Sequence, residues 1–179
     1  MSKSRKNTFF ISIVGPDQVG LIAEVAGRLF DLGINLADTS FCILGQGFEF
    51  SCVAEAMDGI SARDIEAELA SLTSLKGADV KVSTYRFSSE AEDNAEITHI
   101  IEVDGGDQPG LIARLAEVFI DYQANVVRMN SVRRYDENNQ GRYITTYAIS
   151  VDENRAAACL SAINNTAGQL KLNCRYQKL

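Results

Sequence analysis

The hydrophobic residues of this chain recur at helical spacing in two stretches that lie about 90 residues apart. In each stretch, apolar side chains at intervals of three and four share one face of an amphipathic helix. Gly33 follows the first stretch, so the first helix is predicted to end at a glycine. The second stretch has Gln123 and Ala124 at that point, so its helix is predicted to end differently. The apolar positions are Leu21, Ile22, Val25, Ala26, Leu29 and Phe30 in the first copy, and Leu111, Ile112, Leu115, Ala116, Phe119 and Ile120 in the second.

Strand-like segments surround each of these helices in the same order. An apolar strand comes first, and a hairpin of two strands, a second helix and a last strand follow the helix. The order β-α-β-β-α-β is that of the ferredoxin-like fold, so we predict an α+β protein of two tandem ferredoxin-like units. In the first copy we predict a first strand at 9–14, a hairpin that turns around 45–47 and continues as a strand at 48–56, a second helix at 61–74 and a last strand at 80–84. In the second copy the first strand is predicted at 97–103, the hairpin turn around 136–141 with a strand at 143–151, the second helix at 152–166 and the last strand at 170–176.

A heptapeptide occurs directly before each predicted first helix. Asp17-Gln-Val-Gly-Leu-Ile-Ala23 returns as Asp107-Gln-Pro-Gly-Leu-Ile-Ala113, with six of the seven positions identical. Such a repeat indicates the duplication of one unit. Residues 88–95 are polar, acidic and without periodicity, which is typical of a linker. The predicted domain organisation is a disordered N-terminus at 1–7, a first domain at 8–87, the linker at 88–95 and a second domain at 96–179.

The composition argues against several functions. The formal net charge of -7 disfavours direct binding to the phosphate backbone of nucleic acids. No apolar segment approaches the roughly 20 residues that a membrane helix needs, and no secretory signal is present, so we expect a cytoplasmic protein. The four cysteines form no C-x-x-C pair, which predicts reduced, mostly buried thiols and no metal site. A single histidine, with no P-loop, nucleophile elbow or dinucleotide fingerprint, predicts a non-catalytic protein without a cofactor.

The repeated segments resemble the signature of ACT domains, which are amino-acid-sensing βαββαβ modules. The resemblance rests on Gly15-Pro-Asp-Gln-Val-Gly-Leu-Ile-Ala with Gly33-Ile-Asn-Leu in the first copy, and on Asp107-Gln-Pro-Gly-Leu-Ile-Ala with Asn125-Val in the second. It implies that an amino-acid effector binds at an interface between two such modules. A narrower resemblance, to repressors of glycine cleavage genes, rests on Asn35-Leu-Ala-Asp-Thr-Ser, Ile43-Leu-Gly and Phe48-Glu-Phe50.

The turn between the first strand and the first helix of each copy is the candidate binding site. Unpaired N–H groups and the positive end of a helix favour a carboxylate there, and the aspartate of each heptapeptide offers a carboxylate to an ammonium group. Glycine lets a ligand approach the backbone, and an asparagine at the start of the next strand offers both a donor and an acceptor. The candidate ligand-binding residues are Asp17, Gln18, Val19, Gly20, Leu21 and Asn35 in the first copy, and Asp107, Gln108, Gly110, Leu111 and Asn125 in the second.

Purely structural roles stay open for the same residue types. The aspartates could cap the turn or the helix start, the glycines could serve a tight helix entry, and the asparagines could bond to neighbouring backbone. One difference ranks the two copies. Val19 keeps an N–H that Pro109 lacks, so the first copy offers one more backbone donor and is the better candidate.

Together these patterns predict a regulatory protein rather than an enzyme. We expect it to bind an amino acid, with glycine or a related one-carbon metabolite among the candidates, and to control transcription indirectly through a protein partner. A regulatory subunit of a separate metabolic enzyme is the alternative. Small units with exposed strand edges need cover, so we also expect association, either between the two units or as a homodimer.

Overall fold

The computed structural model describes residues 7–88, 95–135, 137 and 141–179. The chain divides into two compact units, Met1–Glu90 and Ala91–Leu179. Most of the N-terminal disorder predicted at 1–7, and most of the linker predicted at 88–95, falls outside the described residues, although Asn7 is the first residue of a strand. The domain bounds drawn from the sequence therefore stay a prediction.

Both units follow the predicted βαββαβ order, so the prediction of two ferredoxin-like units is confirmed. The first unit consists of β1 (Asn7–Pro16), α1 (Leu21–Asp31), β2 (Asn35–Leu44), β3 (Gly47–Ala56), α2 (Ala62–Ala70), a 3₁₀ turn (Thr73–Leu75) and β4 (Asp79–Thr84). The second consists of β5 (His99–Gly106), α3 (Leu111–Asp121), β6 (Asn125–Tyr135), β7 (Gly141–Ser150), α4 (Glu153–Gln169) and β8 (Asn173–Lys178). Each unit forms one antiparallel sheet, in the strand order β2-β3-β1-β4 and β6-β7-β5-β8 respectively.

Several element boundaries differ from those predicted. The helix predicted at 61–74 ends at Ala70, because the chain becomes extended at Leu72 before a separate 3₁₀ turn. The strand predicted at 97–103 begins at His99. The last strand begins only at Asn173, so Leu172 lies before it, where its side chain is buried in the core. The predicted loop at 136–141 falls largely outside the described residues.

Each first helix buries a narrower stripe than its sequence pattern predicts. The buried residues are Leu21, Val25 and Leu29 in α1, and Leu111, Leu115 and Phe119 in α3. Ile22, Phe30 and Ile120 were expected on the same faces, but they are 49%, 79% and 74% exposed. These helices contact the sheet mainly through one row of residues at intervals of four, so the apolar positions beside that row reach solvent.

The first helices of the two units end in the same way, although the sequence predicts different ends. Gly33 has a φ of 72° and donates its N–H to the carbonyl of Phe30. At the equivalent point Gln123 has a φ of 53° and donates its N–H to the carbonyl of Ile120. In each unit the N–H of the following residue reaches one carbonyl further back, which completes a Schellman motif. The predicted difference is wrong because a glutamine here adopts the left-handed conformation that glycine adopts without a steric cost.

The helices of each unit cover one face of that unit's own sheet. Along β1, the buried side chains of Phe9, Ile11 and Ile13 alternate with those of Phe10 and Ser12, which lie on the opposite side. The helix-free side of each sheet is here called its open face. The turn from the first strand to the first helix lies at one end of each sheet, where the backbone leaves the strand to form the helix over the covered face.

Candidate functional site

The turn between β1 and α1 exposes the N-terminal end of a helix. Gly20 caps the helix with a φ of 96°, and no side chain of the described residues caps the first turn of α1. Glu24 makes the first bond of the helix, to the carbonyl of Gly20, so the preceding N–H groups point outward without helical partners. Gly110 caps α3 in the same way, with a φ of 81° and no capping side chain. The helix-capping role considered for Asp17 and Asp107 is therefore not found.

A cavity of about 550 Å³ opens directly onto this turn. Its polar part is the turn itself, and its apolar part is made by exposed positions of α1 and by one residue of β2. Phe41 and the helix positions beyond Leu21 were not among the predicted site residues, although the wide apolar stripe in the sequence did contain Ile22 and Ala26. The cavity is lined by Asp17, Gln18, Val19, Gly20, Leu21, Ile22, Ala23, Ala26 and Phe41.

The glutamine of each heptapeptide bonds within its own unit. The side-chain amide of Gln18 donates to the carbonyl of Ser74, and that of Gln108 donates to the carbonyl of Leu170 over 2.7 Å. Both bonds tie the turn to the segment between the second helix and the last strand. These two residues therefore position the turn, and one N–H of each amide is used in doing so.

The two predicted asparagines lie far from the turns. The end of β1 beside the turn pairs with Gly47, whereas Asn35 pairs with Glu55 near the other end of β3. The stretch of β3 between these two residues spans roughly 26 Å at about 3.3 Å per residue. Asn125 begins β6 at the equivalent end of the second unit. Within a single unit, the structure thus does not bring the asparagine to the predicted turn site.

The equivalent turn of the second unit has a different chemistry. Its cavity is about 210 Å³, and its lining includes Arg133 and Tyr143. A nitrogen of the Arg133 guanidinium lies 2.7 Å from an oxygen of Asp107, so the carboxylate predicted to bind an ammonium group already has a cation beside it. A hydrogen bond with Tyr135 and the charge of Asp107 both raise the pKa of Arg133. The residue at the position of Arg133 in the first unit is the apolar Ile43.

The titratable groups of the core favour their neutral forms. Burial raises the pKa of Cys52 and of Tyr147 to about 12, so neither ionises near neutral pH. His99 is 5% exposed, and burial lowers its pKa. No group of three or more metal-ligating side chains is found among the described residues. In the same part of the chain, no helix is long and apolar enough to cross a membrane.

No family model matches the chain. The chain is 24% identical over 143 residues to the glycine cleavage system transcriptional repressor of Escherichia coli, and the alignment covers 78% of this chain and 72% of that protein. The repressor of the same name from Shigella flexneri gives the same identity and coverage. The resemblance to repressors of glycine cleavage genes, noted in the sequence, is confirmed by these relatives.

Two solved structures share the fold over nearly the whole chain. An unknown protein from Galdieria sulphuraria superposes with a TM-score of 0.73 at 15% identity, covering 98% of this chain and 99% of that one. A candidate glycine cleavage system transcriptional repressor superposes with a TM-score of 0.63 at 14% identity, with the same coverage. At these identities the likeness establishes the fold, and the function has to be argued from the site.

Proposed function

We propose that this chain is a non-catalytic regulatory protein whose first unit binds a free amino acid at the turn between β1 and α1. The observation that carries the proposal is the cavity of about 550 Å³ that joins outward N–H groups to apolar walls. Ligand pockets commonly have volumes of about 300–1,000 Å³, and they are mostly apolar with a few polar groups. The cavity of the second unit, at about 210 Å³, is smaller than that range.

The turn matches the charges of an amino acid zwitterion. The N–H groups of Leu21, Ile22 and Ala23 can donate to a carboxylate at the positive end of α1. The carboxylate of Asp17, on the same cavity, can accept from the ammonium group. The apolar wall, which includes Phe41, can contact the Cα of glycine or the side chain of a larger amino acid. The proposal thus assigns one part of the cavity to each part of the ligand.

A second copy of the chain can supply the asparagine that one unit keeps away from its turn. β2 is an edge strand, with β3 on one side only. If two β2 edges pair in antiparallel fashion, Asn35 of one copy comes beside the hairpin end of the other. This arrangement agrees with the expectation that the effector binds between two modules, and it requires a homodimer.

Control of transcription through a protein partner fits both the relatives and the charge. The relatives are named as transcriptional repressors of the glycine cleavage system, and a net charge of -7 opposes direct binding to DNA. We therefore propose a cytoplasmic regulator that responds to glycine or a related one-carbon metabolite. Affinity capture from the native cell is expected to retrieve a DNA-binding regulator. Retrieval of a metabolic enzyme would favour the regulatory subunit instead.

The binding site is tested by a carboxylate placed in the first turn of α1. The common amino acids are first screened by thermal shift, because a ligand that binds only the folded state raises the melting temperature. Ala23→Glu is then compared with the parent by calorimetry. An acidic residue in the first turn stabilises a helix, so the variant folds while its carboxylate repels that of the ligand. We expect a loss of affinity of at least about tenfold.

Ala113→Glu is the matched control, because it places the same charge at the equivalent position of α3. It is expected to leave the affinity unchanged. Equal affinity of the Ala23→Glu variant and the parent would place the ligand elsewhere, and a stronger effect of Ala113→Glu would assign it to the second unit.

A further inference from the structure

The open faces of the two sheets carry opposite charges. Among the described residues of the first unit, three carboxylates stand on this face, those of Glu49, Glu55 and Asp79. In that part of the chain Lys81 is the cation among them, and its ammonium lies 2.8 Å from a carboxylate oxygen of Asp79. The registers place all four on the same side as Phe10 and Ser12, away from the helices. The charged side chains of this face therefore leave an excess of negative charge.

The open face of the second unit has an excess of positive charge. Counted over the described residues, its four cations are the arginines at 128, 134, 142 and 175, and its two carboxylates are those of Glu102 and Asp104. The carboxylate of Asp104 accepts from two guanidinium nitrogens of Arg142. In the described part of the chain, no carboxylate forms an ion pair with Arg128 or Arg134, which lie on the edge strand β6. These two arginines present charge that a partner surface can neutralise.

Aromatic rings extend the open face of the first unit. Phe10 stacks on Tyr85 with ring centroids 6.4 Å apart, and Tyr85 meets Phe87 edge to face at 5.6 Å. Phe10 is 37% exposed and Phe87 is 78% exposed, although both are large and apolar. Guanidinium groups bind the faces of such rings, so the arginines of the other open face complement the rings as well as the carboxylates.

We propose that the open face of the first unit in one copy packs on the open face of the second unit in another copy. A twofold dimer contains this contact twice, because each copy offers one face of each kind, and the assembly then closes. Four strands at about 4.8 Å spacing and about 20 Å length give roughly 400 Å² per face. Two such contacts bury roughly 1,600 Å² in total, which is the size of a standard specific interface.

Charge reversal on each face provides the test. Arg128→Glu with Arg134→Glu makes both contacts acidic on both sides, and Glu49→Lys with Asp79→Lys makes them basic on both sides. In sedimentation velocity over a wide concentration range, the parent is expected to form a dimer of the 19.5 kDa chain. Each double variant is expected to self-associate at least about a hundredfold more weakly, since like charges are then opposed. An equimolar mixture of the two variants is expected to regain the dimer, because both of its contacts again join opposite charges.

The matched controls make the same number of charge reversals on the helices, away from the open faces. Arg63→Glu with Arg114→Glu, and Glu24→Lys with Glu117→Lys, should leave the parent's association intact. Circular dichroism melting confirms that each variant is folded. A parent that stays monomeric at every concentration would overturn the proposal, as would a mixture that stays monomeric when both variants are folded. Binding of a labelled single-stranded RNA, lost in the Arg128→Glu/Arg134→Glu chain while the parent stays monomeric, would assign the basic face to nucleic acid instead.

Discussion

In the first unit the turn before the helix faces a cavity of about 550 Å³ with apolar walls, whereas the equivalent cavity in the second unit is about 210 Å³ and contains an ion pair between Arg133 and Asp107. The backbones around the two turns are alike. Both helices begin after a glycine with positive φ, and both turns are held by a glutamine side chain. The two sites therefore differ through a few side chains that line the cavities, not through the fold.

This comparison separates the residues that shape the turn from those that choose what it binds. Gly20 and Gly110 set the same backbone conformation in both units. At the position of Ile43, the second unit has Arg133, whose cation engages the carboxylate of Asp107, the counterpart of the Asp17 carboxylate proposed to bind an ammonium group. A shared turn with different lining residues means that the two units are expected to respond unequally to one ligand.

The largest expected effect is on ligand affinity when the two asparagines are changed in turn. Asn35→Ala should weaken the binding of the best amino acid by about ten- to a hundredfold, because in the proposed homodimer Asn35 of one copy reaches the turn of the other, and a hydrogen bond to a charged group contributes about 1.5–3 kcal/mol. Asn125→Ala should leave that affinity unchanged. Calorimetry on both variants, with circular dichroism as a control for folding, makes the measurement. Equal losses in the two variants would mean that both units bind the same ligand, and no loss in either would remove the asparagines from the site.

An intermediate effect is expected on the free energy of unfolding when the residues that end α1 and α3 are exchanged. Gly33→Gln gives the first unit the helix end of the second and should cost about 1 kcal/mol, because a side chain raises the energy of the left-handed conformation. A Cβ at Gly33 meets no atom within 4 Å, so the cost comes from the backbone conformation alone. Gln123→Gly should stabilise the second unit by a similar amount. Urea unfolding of the full chain measures both changes.

The side chain of Gln123 also has a contact of its own, since it accepts a hydrogen bond from Arg155. Gln123→Ala is the control, because it removes this contact and keeps a Cβ in the left-handed conformation. The difference between the glycine and alanine variants then reports the backbone alone. If the two variants were equally stable, the shared helix end would have to be explained by packing.

The repeat and the alternation of apolar residues were enough to predict the fold, because both depend on local periodicity. The lining of the sites was harder to predict. Phe41 and Arg133 reach the turns from β2 and β6, and only strand register decides which residues of those strands face the cavities. The distance of Asn35 from the turn of its own unit was also hidden from the sequence. The start of α1 and the start of β2 are close along the sequence. They are far apart in space, because α1 runs from one end of the sheet to the other before β2 begins.

The smallest expected effect is a dependence of stability on pH that belongs to the second unit alone. His99 occupies in β5 the position that Phe9 occupies in β1, and both side chains are buried. Burial lowers the pKa of His99 from its usual 6.5, and the charge of nearby Lys178 lowers it further, while Glu153 acts in the opposite direction. The folded protein therefore binds this proton less readily than the unfolded chain does. Its contribution to stability is complete above about pH 6.5 and is lost as the pH falls through the lower pKa of the folded state.

His99→Phe installs the residue of the first unit and removes the titrating group. The urea midpoint of the parent should fall between about pH 7 and pH 5 by more than that of the variant, because carboxylates titrate in both chains but the imidazole titrates only in the parent. A matched pair of midpoints at each pH isolates the histidine from those carboxylates. Parallel curves for the two chains would mean that the imidazole accepts its proton in the folded state as readily as in the unfolded one. The buried end of β5 would then be no more sensitive to acid than the buried end of β1.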